Sequence, residues 1–219
     1  KLSRTVLNIG NVHFYRCDYE NALRACQDAL NLLHTNKDEI EVAAVWYNMS
    51  LLLYHQGNKL QALEKIDTFL EMAQKILPPE VRHQLADAFH RKGKIMFEMG
   101  RLYDCMIPLN RALQIRRNLL GNDHPSVAES LNLIGKVLHK REEYDFAMNA
   151  LQEALAVQHK SNETASLDIA QTLLDIGSIY HVQNQLEQSL KVFTEVIDLT
   201  RKFFGERHPF VARIENIIG

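Results

Sequence analysis

The sequence predicts an all-α solenoid, in which pairs of antiparallel helices stack one after another along the chain. Three observations predict it. A pattern recurs about every 42 residues, a lattice of small residues repeats inside that period, and all nine glycines fall at a helix contact or a turn.

The period is visible by eye. His124-Pro125-Ser126-Val127-Ala128 recurs as His208-Pro209-Phe210-Val211-Ala212, 84 residues later, or twice 42. Gly or Ser marks each period at positions 10, 50, 93, 135, 177 and 219, with steps of 40 to 43. Twelve residues after each marker comes another small side chain: Ala22, Ala62, Cys105, Ala147, Ser189. Nineteen residues after come Ala29, Phe69, Ala112, Ala154 and Val196. Small residues at such offsets let two helices, A and B, approach closely. Apolar residues spaced by three, four and seven fill the layers between them: Trp46, Phe89, Leu131 and Leu173 on A, and Ile66, Leu109, Leu151 and Phe193 on B.

Taken in order, the repeats are expected at about 3–42, 43–85, 86–127, 128–169 and 170–211, with a partial sixth over 212–219. That makes ten helices and the start of an eleventh in a single domain. Gly57 and Gly100 fall in the turn from A to B, where a helix end favours glycine in the left-handed conformation. Gly121 and Gly205 fall between repeats. His-Pro at 124–125 and 208–209 then opens helix A, with proline in the first turn. Pro108 conflicts with the pattern. It falls about one and a half turns into a helix expected over 102–120, and should kink that helix or shift its start.

The small-residue spacing resembles the tetratricopeptide repeat over the whole chain. The 42-residue period and the segment IRRNLLGNDHPSVA at 115–128, followed by Leu131-Asn132-Leu133-Ile134-Gly135, are similar to the kinesin-light-chain type. The resemblance implies a right-handed α-α superhelix whose concave groove is lined by helices A and holds a protein or peptide.

Composition narrows the function. Lys+Arg number 25 against 27 Asp+Glu, a net charge of −2, without the basic excess of a strong nucleic-acid binder. Three cysteines with no close pair argue against a disulfide framework and a zinc knuckle, and fit a reducing, cytoplasmic compartment. No apolar run is long enough to insert in a membrane. The chain starts at Lys1 without a signal-peptide core and reads as a piece of something longer.

A search for catalytic groups leads nowhere. The ten histidines are scattered, without HExxH or a compact His/Cys cluster, so no metal or cofactor is expected. Gly93-Lys94 and Gly135-Lys136 lack the other residues of a phosphate loop. Cys26 and Cys105 stand at core positions as small hydrophobes. The chain is expected not to be an enzyme.

In the resemblance, the groove is lined by residues three before, two before, one after and four or five after each marker. Among the residues so placed, Asn8, Asn11, Asn48, Arg91, Lys94, Asn132, Lys136 and Lys140 are the expected peptide-binding set. Asparagine offers both donor and acceptor to a peptide backbone, and the cations suit acidic side chains. Lys94 and Lys136 occupy equivalent sites in successive repeats, on the order of 10 Å apart at ordinary helix spacing. Asn11, Asn48 and Lys94 also match three of five positions of the carboxylate clamp in chaperone-binding members. Leu7 and His90 replace its other two. The function expected is thus a scaffold or adaptor binding an acidic segment of a partner. Reversing both lysines should weaken it without disturbing the fold. The competing readings are a self-assembling, homo-oligomeric solenoid and an accessory domain of a larger enzyme.

Overall fold

A computed structural model describes residues 2–33, 39–76, 82–161, 167–205, 211 and 215–216, with side chains for all of these except 2–5, 7, 11, 82, 203 and 204. Among the described residues there are ten α-helices and no strands: α1 (Leu2–Tyr15), α2 (Tyr19–Leu33), α3 (Glu39–His55), α4 (Lys59–Ile76), α5 (Arg82–Glu98), α6 (Met106–Leu120), α7 (Pro125–Lys140), α8 (Tyr144–Lys160), α9 (Leu167–Val182) and α10 (Leu186–Phe204). The all-α expectation holds, with helices packed in adjacent pairs. The described chain divides into two compact units, residues 1–115 and 116–219. His208-Pro209, Ala212 and Gly219 lie outside the described residues.

The small-residue lattice is the contact surface within each pair. Ala22, Ala62, Cys105, Ala147 and Ser189 are all buried, as are Ala29, Phe69, Ala112, Ala154 and Val196. Three of the marker glycines, Gly93, Gly135 and Gly177, sit under the residue sixteen positions later, while Gly10 packs against Ala25. A Cβ on Gly135 would lie 2.6 Å from Leu151 Cγ, and one on Gly177 would lie 2.5 Å from the Phe193 ring. Gly93 lies likewise under Leu109. Where the marker is Ser50, its buried hydroxyl donates back to Tyr47 O at 2.7 Å, so no polar atom is orphaned.

The A-to-B turns share one geometry. Cys17, Gly57, Gly100, Glu142 and Asn184 all have φ between 58° and 83°. The next residue's N–H reaches back to the carbonyl five positions earlier: Asp18 to His13, Asn58 to Leu53, Arg101 to Met96, Glu143 to Leu138 and Gln185 to Tyr180, at 2.8–2.9 Å. This helix-ending motif favours glycine, yet three of the five positions carry a side chain in the left-handed region.

α7 begins as expected. Pro125 is its first residue, and His124 Nδ1 accepts from Ser126 N at 3.2 Å. At Pro108 the helix start shifts rather than kinks. Residues 102–105 form a turn and α6 begins at Met106, placing Pro108 third, where the missing N–H has no intrahelical partner to lose.

Candidate peptide-binding groove

The groove positions lie on helices A, and in each unit they touch the next helix A. In residues 1–115, α1 meets α3 through Phe14 and His55, with ring centres 5.3 Å apart. α3 meets α5 through two pairs. The Arg91 guanidinium lies over the Tyr47 ring at 5.6 Å and reaches its hydroxyl at 3.5 Å. The Tyr54 hydroxyl donates to Glu98 Oε1 at 2.6 Å, and Lys59 Nζ pairs with Glu98 at 3.2 Å. Burial and the Glu98 charge push the Tyr54 phenol up to about 12. Lys94 is exposed, its ammonium 5.7 Å above the Tyr54 ring. No carboxylate among the described residues pairs with it.

Residues 116–219 use the same positions differently. Lys136 Nζ lies 3.3 Å from Asp175 Oδ2, an ion pair from α7 to α9. Burial raises the Asp175 carboxyl above the usual carboxylate range despite Lys136. The Thr172 hydroxyl lies 3.0 Å from Asn132 Oδ1, 3.1 Å from Gln158 Oε1 and 2.8 Å from Asp168 O. Its single proton serves one of these acceptors at a time. Lys140 remains exposed at the end of α7.

The expected residues therefore differ in standing. Lys94 and Lys140 are exposed cations, and Asn8 is exposed on α1. Arg91 is stacked on tyrosine. Asn132 and Lys136 are engaged with α9. Asn48 lines a cleft of about 180 Å³ between α1 and α3, with Gly10, Phe14, Tyr15, Cys26, Leu51 and Leu52. The Asn11 side chain lies outside the described residues. Cys26 and Cys105 are buried and free, and burial pushes the Cys26 thiol up to about 11, the state of an inert small hydrophobe.

Sequence reasoning missed a buried polar column. Arg116, Gln158 and Thr200 stand 42 residues apart, each near the end of a helix B, and all three are buried. Arg116 donates to Ser126 O and Ser130 Oγ, each at 2.8 Å, and pairs with Glu129 at 3.0 Å. Gln158 meets Thr172, which stands 42 residues after Ser130. Reading the 42-residue columns for polar as well as small residues finds these positions.

One pH dependence follows from the α7 end. Burial, with Lys140 adding to it, lowers the His139 pKa, while Asp175 opposes. The fold thus favours neutral imidazole. That contribution is present above the unfolded value of about 6.5 and is lost as pH falls through the lower folded value. His139→Gln should therefore flatten the loss of melting temperature between about pH 7 and pH 5. Equal acid sensitivity in both proteins would remove His139 as its source.

Among the described residues, no His/Cys/Asp/Glu group could hold a metal, and no helix is long and apolar enough to cross a membrane. Comparison with known proteins agrees with the repeat geometry. Tetratricopeptide repeat family models match residues 84–159 and 169–210. A clustered mitochondria protein homolog of Danio rerio is 26% identical over 83% of this chain, which spans only 13% of that relative's length. Protein kinesin light chain-related 2 of Arabidopsis thaliana is 23% identical over the whole chain, which covers 33% of it. The crystal structure of BtubC (BKLC) from P. vanneervenii superposes with a TM-score of 0.81 at 16% identity, covering 94% of this chain and 82% of that one. The 42-residue period, the buried small-residue lattice and the matched segments together establish that this chain belongs to the tetratricopeptide repeat family, with repeats like those of kinesin light chains.

Proposed function

We propose that this chain is a non-catalytic protein-binding module whose helices A hold an extended, Asp- or Glu-bearing segment of a partner, within a single repeat array in a reducing, cytoplasmic compartment. Three cysteines with no close pair in the sequence favour that compartment. The observation that carries the binding role is Lys94, an exposed ammonium held over Tyr54 without a carboxylate among the described residues. Arg91, Asn48 and Asn8 lie in the same unit as Lys94, whereas Asn132, Lys136 and Lys140 belong to the other unit. Lys136 contributes less to an acidic ligand than its column suggests, because Asp175 already compensates it.

The test is a charge reversal at Lys94. An exposed pair is worth ~0.2–1 kcal/mol, and reversal replaces an attraction by a repulsion of similar size, so Lys94→Glu should weaken binding about two- to thirtyfold. Raising salt should do the same to the wild type. The measurement is a titration against a partner recovered from cells by cross-linking. Unchanged affinity in both comparisons would put the partner elsewhere. Reversing Lys136 as well is a poorer test, since it sets a second carboxylate against half-buried Asp175 and should disturb the fold.

A further inference from the structure

Two columns on the outer side of helices B change character along the chain. Ten residues after the first five markers stand Glu20, Leu60, Tyr103, Asp145 and Glu187. Fourteen residues after them stand Arg24, Glu64, Ile107, Asn149 and Lys191. All of these positions are exposed. The fold therefore leaves them in water and needs nothing apolar there, which is why most repeats carry a charge or an amide. Repeats 2 and 3 depart from that rule. Leu60, Tyr103 and Ile107 are large and apolar, yet 71%, 72% and 74% exposed.

The three residues form one surface within residues 1–115. Leu60 and Tyr103 hold equivalent places in successive helices B, ~10 Å apart at ordinary helix spacing. Tyr103 belongs to the turn displaced by Pro108, and Ile107 to the first turn of α6. Cys105, Pro108 and Leu109 are buried, so Tyr103 and Ile107 share the outer side. The charges around them are already paired with one another: Lys65 with Glu64 and Arg101 with Asp104, each at 2.8 Å. The result is an apolar centre with a rim of balanced charge.

Three large side chains at that exposure present roughly 400 Å², inside the range of about 300–600 Å² for the largest and often functional patch on a monomer. Two such surfaces pressed together, with their rims, bury about 1,000 Å², the least that a specific interface needs. A two-fold pairing sets the same patch against itself, so the patch must tolerate its own copy. A rim with acids and bases in equal number does so. Tyrosine is also among the residue types that most often anchor an interface.

We propose that the surface formed by Leu60, Tyr103 and Ile107 is a self-association site that seats the same surface of a second copy of this chain. It lies on helices B and is independent of the groove reading, which uses helices A. With no net charge at the rim, the pairing should be insensitive to salt, unlike binding at Lys94.

The experiment is sedimentation of this chain between about 1 µM and about 1 mM, the span in which a small interface associates. The wild type should pass from monomer to dimer, alike at low and high salt. Leu60→Glu combined with Tyr103→Glu places acids where Glu20 and Glu187 stand in other repeats. Its melting curve should therefore be kept, while dimerisation weakens at least tenfold. Leu190→Glu, at a half-exposed leucine of α10, should leave the dimer intact. Hydrogen exchange of the wild type at both ends of the concentration range needs no variant. Protection should rise with concentration over 59–64 and 101–107. A wild type that stays monomeric throughout would overturn the site and leave the surface to a different protein. So would a double variant that dimerises like the wild type, a dimer lost in Leu190→Glu, or protection gained only in other segments.

Discussion

Replacing Ala147 with leucine should lower stability by about 1–3 kcal/mol, the usual cost of forcing extra methylenes into a packed core. Ala147 is fully buried on α8, and its carbonyl oxygen would lie 3.4 Å from a Cβ on Gly135. Leu151, one turn on, already covers that glycine, so the added isobutyl group has no space on the α7 side. Repeat proteins couple through neighbouring repeats, so the loss is expected as early unfolding of part of the array. Thermal and urea melts followed by circular dichroism measure it. An unchanged curve would mean that Ala147 does not bear on α7.

Arg116→Ala should cost about 1.5–3 kcal/mol, the range for hydrogen bonds to a charged group. The Arg116 side chain is only 5% exposed, and its guanidinium ties Ser126 O and Ser130 Oγ at the start of α7. Removing it takes the charged donor from Ser126 O and Ser130 Oγ at the end of the helix where the His124 cap also sits, and leaves Ser126 O only the Ser130 hydroxyl at 3.2 Å among the described side-chain donors. Glu129 is 60% exposed and returns to water without much penalty, so the ion pair adds little to this figure. Arg116→Lys keeps the charge but not the planar fork, and should recover only part of the loss. Urea melts of the three proteins give the comparison; a lysine variant as stable as wild type would show that charge alone is needed.

The repeat framework was legible because it depends on residues close in sequence. A glycine, a small residue twelve later and a large one sixteen later suffice to fold one helix back on another, and the chain writes that rule several times over. His124-Pro125 likewise carried its own start signal. The turn at Gly57 and Gly100 was legible for the same reason. Its counterparts at Cys17 and Glu142 were not, because residue type there gives no sign of a left-handed backbone and the surrounding hydrogen bonds impose it, while Asn184 is of a type that tolerates that conformation and gives a weak sign of it. At Pro108 the sequence left two outcomes open, and displacement of the α6 start is the one that leaves no amide bond to break.

The candidate site was legible in position and not in partnership. Column spacing alone put Lys94 and Lys136 at equivalent places, and by residue type they look alike. The structure separates them. Lys136 faces Asp175, 39 residues away on the next helix A, while Lys94 faces the ring of Tyr54 on the helix A before it. Asn132, placed in the groove by its column, has a partner in the chain itself, the Thr172 hydroxyl at 3.0 Å. Sequence by itself therefore determined the period, the helix pairs and the columns that face one another, since those follow from spacing and side-chain size. Only the tertiary structure decided which of the described polar groups are already satisfied within the chain and which are exposed. That choice depends on rotamers and on burial between helices some forty residues apart, where an unpaired polar group is costly and the chain's own partners compete with any ligand.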